Sequence, residues 1–366
     1  MKISAVISPH GFGHASRCVA VIQSLHQTIP NCKFDVITTV PEWFFKDSLR
    51  LEDYQYIAFE TDVGVVQYSP FVEDLPGTVD RLKGFVPFGN QKVEYLSNLM
   101  KEGKTDLVLC DISPLGIAAA NLANIPSILV ENFTWDWIYE GYLDLESRLK
   151  DFIPPLREAF EMASIHIQTE PVCEYKPVHL VTLPVSRLPR TPRDEMRRSL
   201  NVSPNQPLVL ITMGGIPHLL RQLQPLHTFT EVVFVIPGAS DRYERRGNLI
   251  LLPHHHPYYH PDLVNASDAV VGKLGYSTIA EAYHSGVPYL YIPRNHFRET
   301  APLAAFVERE LSGVRVEEQD FYNGNWLDRL LPILSLRRKD RGQLNGSGQI
   351  AHWIAEKLGL GISHLQ

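Results

Sequence analysis

The chain has 366 residues, of which 44% are hydrophobic and 20% charged, and its formal net charge is -7. That length exceeds what one hydrophobic core covers and points to two domains, while the composition excludes a disordered chain and the acidic balance argues against a nucleic-acid binder. Cys18, Cys32, Cys110 and Cys173 form no C-x-x-C pair, no run approaches the roughly 20 apolar residues of a membrane span, and the start lacks a signal-peptide pattern. Reduced thiols and a cytoplasmic location are expected.

The strand-length run KISAVIS leads through PHGFGHAS into ASRCVAVIQSLHQ, where Val19, Ile22 and Leu25 recur at helical spacing. KFDVITTV reads as a second strand, TDLVLCDIS as a strand ending at Asp111, PLGIAAANLAN as a helix and PSILVEN as the next strand. This alternation implies a parallel sheet with helices on both faces. It lapses in VTLPVSRLPRTPRDEMRRSLNVSPNQP, whose prolines mark a linker and whose arginines read as a solvated helix face. Strand-like runs then resume with LVLITMGG, EVVFVIPG, NLILLP, DAVVGKLG and VPYLYIPR. The expected fold is α/β: two Rossmann-like, doubly wound parallel-sheet domains facing a cleft where ligands bind. The expected division is residues 1–185, residues 186–345, and a closing helix in 346–366 that could stay on the second half or cross back to the first.

In the first loop, Gly11 and Gly13 leave the backbone open to a ligand at a helix N-terminus, where free N–H groups suit an anion. A dinucleotide site would need an acidic residue ending the second strand. KFDVITTVPEW offers threonines there, with Glu42 only beyond a proline. His14 is either a helix cap or a base facing the crevice. Asp111 ends a strand of the same sheet, so the two could form a dyad in which the carboxylate fixes the imidazole tautomer.

ASDAVVGKLGYSTIAEAYHSGVPYLYIPRNHFRE is the second signature. A buried strand runs into Gly275, a helix opens at Tyr276, and Ser277 and Thr278 add donors at its positive end. This is a diphosphate cradle without a Walker lysine. Glu281, one turn on, either accepts ribose hydroxyls or faces solvent. LLPHHHPYYHP looks like a metal site, but His254, His255 and His256 are consecutive and cannot easily face one ion.

HGFGHASR, NFTWDWIY, HPDLVNASDAVVGKLGYSTIAEA and PRNHFRE together resemble the glycosyltransferase-like domain of plant L-arabinokinases and its bacterial stand-alone relatives. GKLGYSTIAEAYHSGVPYLYIP is similar to the nucleotide-binding motif of the peptidoglycan N-acetylglucosaminyltransferase family. Both belong to the two-domain GT-B glycosyltransferases. The resemblance implies an inverting, metal-independent transferase that moves a sugar from a nucleoside-diphosphate donor, with uracil as base, to a hydroxyl acceptor. No cofactor beyond the donor is implied. The acceptor would be a sugar, a glycolipid or a small molecule, which leaves peripheral membrane contact open.

By the same resemblance, Glu281 binds ribose, while Gly275, Tyr276, Ser277 and Thr278 serve the diphosphate with Gly214 and Gly215. Tyr258, Tyr259 and His260 fall where relatives hold the base. Arg298 and Glu299 stand at the donor-sugar pair, though that pair bears amides in the peptidoglycan enzyme. Lys273 either replaces a metal or snorkels to the surface. Asn132, Trp135, Asp136 and Trp137, past a strand end, would hold the acceptor or simply pack. The chain stops without the galactokinase-type sequence of an arabinokinase, so kinase activity is not expected. A nucleotide-sugar epimerase and a non-catalytic nucleotide-sugar-binding module are the alternatives.

Overall fold

A computed structural model describes residues 1–52, 54–214 and 223–359. In β1 (Lys2–Ile7), Ile3, Ala5 and Ile7 enter one apolar layer and Val6 the opposite one. In β6 (Leu107–Asp111), Leu107 and Leu109 divide from Val108 and Cys110 in the same way. Side chains on successive strand residues point to opposite faces, so a strand apolar throughout must be covered on both.

The first sheet joins β1 and β6 to β2 (Lys33–Thr38), β3 (Tyr54–Ala58), β7 (Ser127–Glu131), β8 (Ile165–Thr169) and β9 (Leu180–Thr182). Its order is β3-β2-β1-β6-β7-β8-β9, and every pairing is parallel. A short hairpin, β4 (Gln67–Ser69) and β5 (Val72–Glu73), stands apart. The second sheet has β10 (Leu208–Thr212), β11 (Val233–Pro237), β12 (Glu244–Arg246), β13 (Leu249–Leu252), β14 (Ala269–Lys273), β15 (Tyr289–Ile292) and β16 (Val314–Arg315). Its order is β12-β13-β11-β10-β14-β15-β16, with only β12 antiparallel. In each sheet the order reverses beside the first parallel strand, at β1/β6 and at β10/β14. A crevice opens at the strand ends of such a switch point.

The chain leaves the first sheet after β9 and reaches the second through the helix Arg193–Ser199. The closing helix, Gly346–Lys357, crosses back: Ile350, Ala351, Ile354 and Ala355 join the layer of α1 (Phe12–Thr28). All four cysteines are free thiols.

At the second switch point β14 lies so close to β10 that a Cβ on Gly272 would stand 1.8 Å from the Thr212 carbonyl oxygen. Backbone on both sides leaves nothing flexible to yield. Gly272→Ala is therefore expected to cost about 3 kcal/mol of stability, seen as a lower urea midpoint. A midpoint equal to wild type would show that the strands part freely there.

Candidate active site

Two helix N-termini meet across the cleft. Gly11, at φ 72°, turns the chain into α1, and Gly275 precedes the helix Tyr276–Ser285. Neither end has a side-chain cap or an acidic residue in its first turn, so N–H groups stay free on both. A Cβ on Gly13 would lie 3.9 Å from Ser277 Oγ, which measures how closely the ends oppose.

Two adjoining cavities occupy the cleft. The larger, about 510 Å³, includes Thr212, Tyr258, Tyr259 and His260 in its wall. The smaller, about 130 Å³, is bounded by His10, His14, Lys273, Arg294, Phe297 and Glu299. Phe12, Gly214, Ser277 and Thr278 line both and mark the junction. Gly11, Gly13, Gly275 and Tyr276 line the smaller one. Gly215 lies outside the described residues.

Strand adjacency brings Asp111 to His14, because β6 pairs directly with β1. His14 Nδ1 lies 3.0 Å from Asp111 Oδ1. Arg17, one helical turn beyond His14, holds the same carboxylate through Nε at 2.8 Å and Nη2 at 2.6 Å, and its Nη1 donates to Asn132 Oδ1 at 2.6 Å. Burial works against the Asp111 charge, but Arg17 outweighs it and holds the carboxyl below its usual range. An ionised carboxylate only accepts, so the pairing assigns the proton to His14 Nδ1 and leaves Nε2 as the basic nitrogen. Arg17 was legible as the i+3 neighbour of His14 but was not singled out from the sequence.

The pair expected at the donor sugar is not a pair. Arg298 turns away from the cavity, donating to the Trp137 carbonyl at 2.8 Å and Glu140 at 2.9 Å, with its guanidinium over the Trp137 ring. It ties the second domain to the first. Glu299 does line the smaller cavity and accepts from Asn132 Nδ2 at 2.9 Å. The cation beside it is Arg294, just past the end of β15, 4% exposed and stacked 3.3 Å from the Phe297 ring. Its Nη2 reaches Glu299 at 3.2 Å, whereas Nε and Nη1 have no partner. Lys273 does not snorkel outward. It lines the smaller cavity, where burial and then Arg294 push its ammonium down to about 7.

Glu281 departs from both expectations. Its side chain is 2% exposed. One carboxylate oxygen accepts from Arg187 at 2.8 and 3.1 Å and the other from His260 Nδ1 at 2.6 Å. It lines neither cavity; Arg187 and His260 stand between it and the larger one. Arg187 comes from the crossing segment read as solvated, yet it is buried between the Phe44 and Tyr259 rings and reaches Ser48 Oγ at 3.0 Å. An ion pair at the domain interface thus occupies the carboxylate expected to meet ribose.

The aromatic patch past β7 is also packed away. Trp135 is fully buried with its indole nitrogen on Asp62, Trp137 lies beneath Arg298, and Asp136 is held by Arg157 at 3.2 Å. Of that group only Asn132 reaches the smaller cavity. The apolar layer under the first sheet absorbs the rings. Two of the consecutive histidines serve the domain interface: His255 stacks on Trp43 at 4.3 Å and bonds Asp47 at 2.9 Å, and His254 stacks on Phe12. Among the described residues no cluster of three or more His, Cys, Asp or Glu is placed to hold a metal ion, and no helix is long and apolar enough to cross a membrane.

No family model matches this chain. It is 29% identical over 364 residues to L-arabinokinase of Arabidopsis thaliana, covering 97% of this chain and 34% of that protein. The chain thus spans about a third of the length of that relative. An uncharacterized glycosyltransferase of Methanosarcina acetivorans is 24% identical, with 85% of this chain and 84% of that one covered. Among solved structures, the calicheamicin glycosyltransferase CalG4 superposes with a TM-score of 0.65 at 15% identity, over 98% of both chains. Two doubly wound parallel sheets facing a cleft are the GT-B fold, and this chain has it.

Proposed function

We propose that the protein is a glycosyltransferase that moves a sugar from a nucleoside diphosphate, with uracil as base, to a hydroxyl acceptor with inversion. One observation carries the reading: His14, oriented by an ionised carboxylate, stands in the same small cavity as two opposed, uncapped helix N-termini. In this reading the nucleoside fills the larger cavity, the diphosphate crosses the junction at Gly214, Ser277 and Thr278, and the sugar enters the smaller one.

His14 Nε2 takes the acceptor hydroxyl proton while that oxygen attacks the anomeric carbon from the face opposite the diphosphate. The bond from carbon to phosphate oxygen breaks, and its electron pair leaves with the diphosphate. Free N–H groups, Ser277, Thr278 and Lys273 stabilise that charge without reorganising. Asp111, itself held by Arg17, orients the His14 ring.

Calorimetric titration with nucleoside diphosphates tests the site. One of them, UDP by this reading, is expected to bind. A diphosphate favours charged Lys273, so binding takes up a proton and affinity falls as pH rises above about 7. The measured enthalpy should then vary with the ionisation enthalpy of the buffer, and Lys273→Met should remove that variation. Failure of every nucleotide to bind would refute the donor site. Binding with a buffer-independent enthalpy would remove Lys273 from it.

A further inference from the structure

We infer that the sugar held in the smaller cavity carries a carboxylate, as a uronic acid does, and that Arg294 and Gln67 bind it. The inference rests on the donor reading above and adds the chemical class of the sugar.

Buried polar groups without partners are rare, because leaving water without a replacement hydrogen bond is costly. The smaller cavity is lined by two side chains carrying three such atoms, and all are donors: Nε and Nη1 of Arg294 and Nε2 of Gln67. Lys273 adds a third cationic or amide side chain, but its place differs. Its Cε and Nζ lie 3.4 and 3.7 Å from a Cβ built on Gly214, at the junction the diphosphate would cross. Arg294 and Gln67 line only the smaller cavity. They are therefore placed for the group beyond the diphosphate.

A sugar hydroxyl both donates and accepts, whereas a carboxylate only accepts. Glu299, the carboxylate among the lining residues, already takes Asn132 on one oxygen and Arg294 Nη2 on the other. Glu73 favours the charged form of both cations, and its Oε1 is a buried acceptor without a partner, but it does not line the cavity. Three spare donors beside the one lining carboxylate, whose oxygens are already taken, fit an oxyanion better than a neutral hydroxyl. Arginine also holds a carboxylate with charge-assisted bonds.

The test is titration of the intact protein with UDP, UDP-glucose, UDP-glucuronate and UDP-galacturonate, together with GDP, GDP-mannose and GDP-mannuronate. A uronate is expected to bind about tenfold or more tightly than the neutral sugar on the same nucleotide. Arg294→Met should erase that preference without weakening affinity for the bare diphosphate. Gln67→Leu should reduce the preference, and it carries the comparison if the arginine variant does not fold. Equal binding of uronate and neutral sugar overturns the inference. So does an Arg294→Met loss of the same size for the bare diphosphate, which would assign that cation to the leaving group. If no nucleotide binds at all, the donor reading itself fails and takes the inference with it.

Discussion

His14→Ala is expected to lower sugar transfer by about 10²- to 10⁴-fold, with nucleotide affinity unchanged. The imidazole is the group positioned to take the acceptor proton, and its removal strips no charge from the diphosphate cradle. Its Nδ1 is fixed by Asp111 at 3.0 Å, and only 9% of its side chain is exposed, so it presents one nitrogen in one orientation. Transfer measured with saturating donor separates the effects: a fall in turnover supports base catalysis, whereas a fall in donor affinity alone would make His14 a binding residue. Asp111→Asn is a poorer probe. It also removes the countercharge of buried Arg17, so lost stability would accompany any loss of rate.

Glu281→Ala is expected to destabilise the protein by about 3–5 kcal/mol, the usual cost of leaving a buried partner charge unpaired. Arg187 and His260 would both lose their carboxylate, and Arg187 would remain buried between two rings. Burial disfavours the ionised Glu281, yet Arg187 and His260 outweigh it and hold its carboxyl below the usual range. A carboxyl depressed on folding contributes stability that is present above its unfolded value of about 4.3 and lost as pH falls through its folded value. Urea unfolding at neutral and at acid pH should show this component in wild type and not in Glu281→Gln. An Ala variant as stable as wild type would mean that Arg187 finds water or another partner when Glu281 is gone.

The fold was legible because its signals are local and repeated: strand-length apolar runs, helices between them, glycine loops at the strand ends. His14 and Asp111 could be connected across 97 residues because both stand at strand ends on one edge of a parallel sheet, although the sequence did not show that β1 and β6 are direct neighbours. The side of the cleft that each polar residue faces was not legible. Arg294 and Arg298 are four residues apart in an irregular loop, where no period tells which points inward; backbone direction gave the cavity to Arg294. Arg187 and Glu281 are 94 residues apart and meet only because the crossing segment runs along the domain interface. The tryptophans past β7 suited a sugar platform and a core equally by composition. Packing under the first sheet decided for the core.

The configuration of the sugar first released from an α-linked nucleotide donor tests the central claim most directly. Water can serve as a slow acceptor, and proton NMR reads the new anomer before it equilibrates. The β sugar with free nucleoside diphosphate is expected, and release from His14→Ala slowed about 10²- to 10⁴-fold. Release of the α sugar, or tight nucleotide binding with neither hydrolysis nor transfer across an acceptor panel, would contradict that claim.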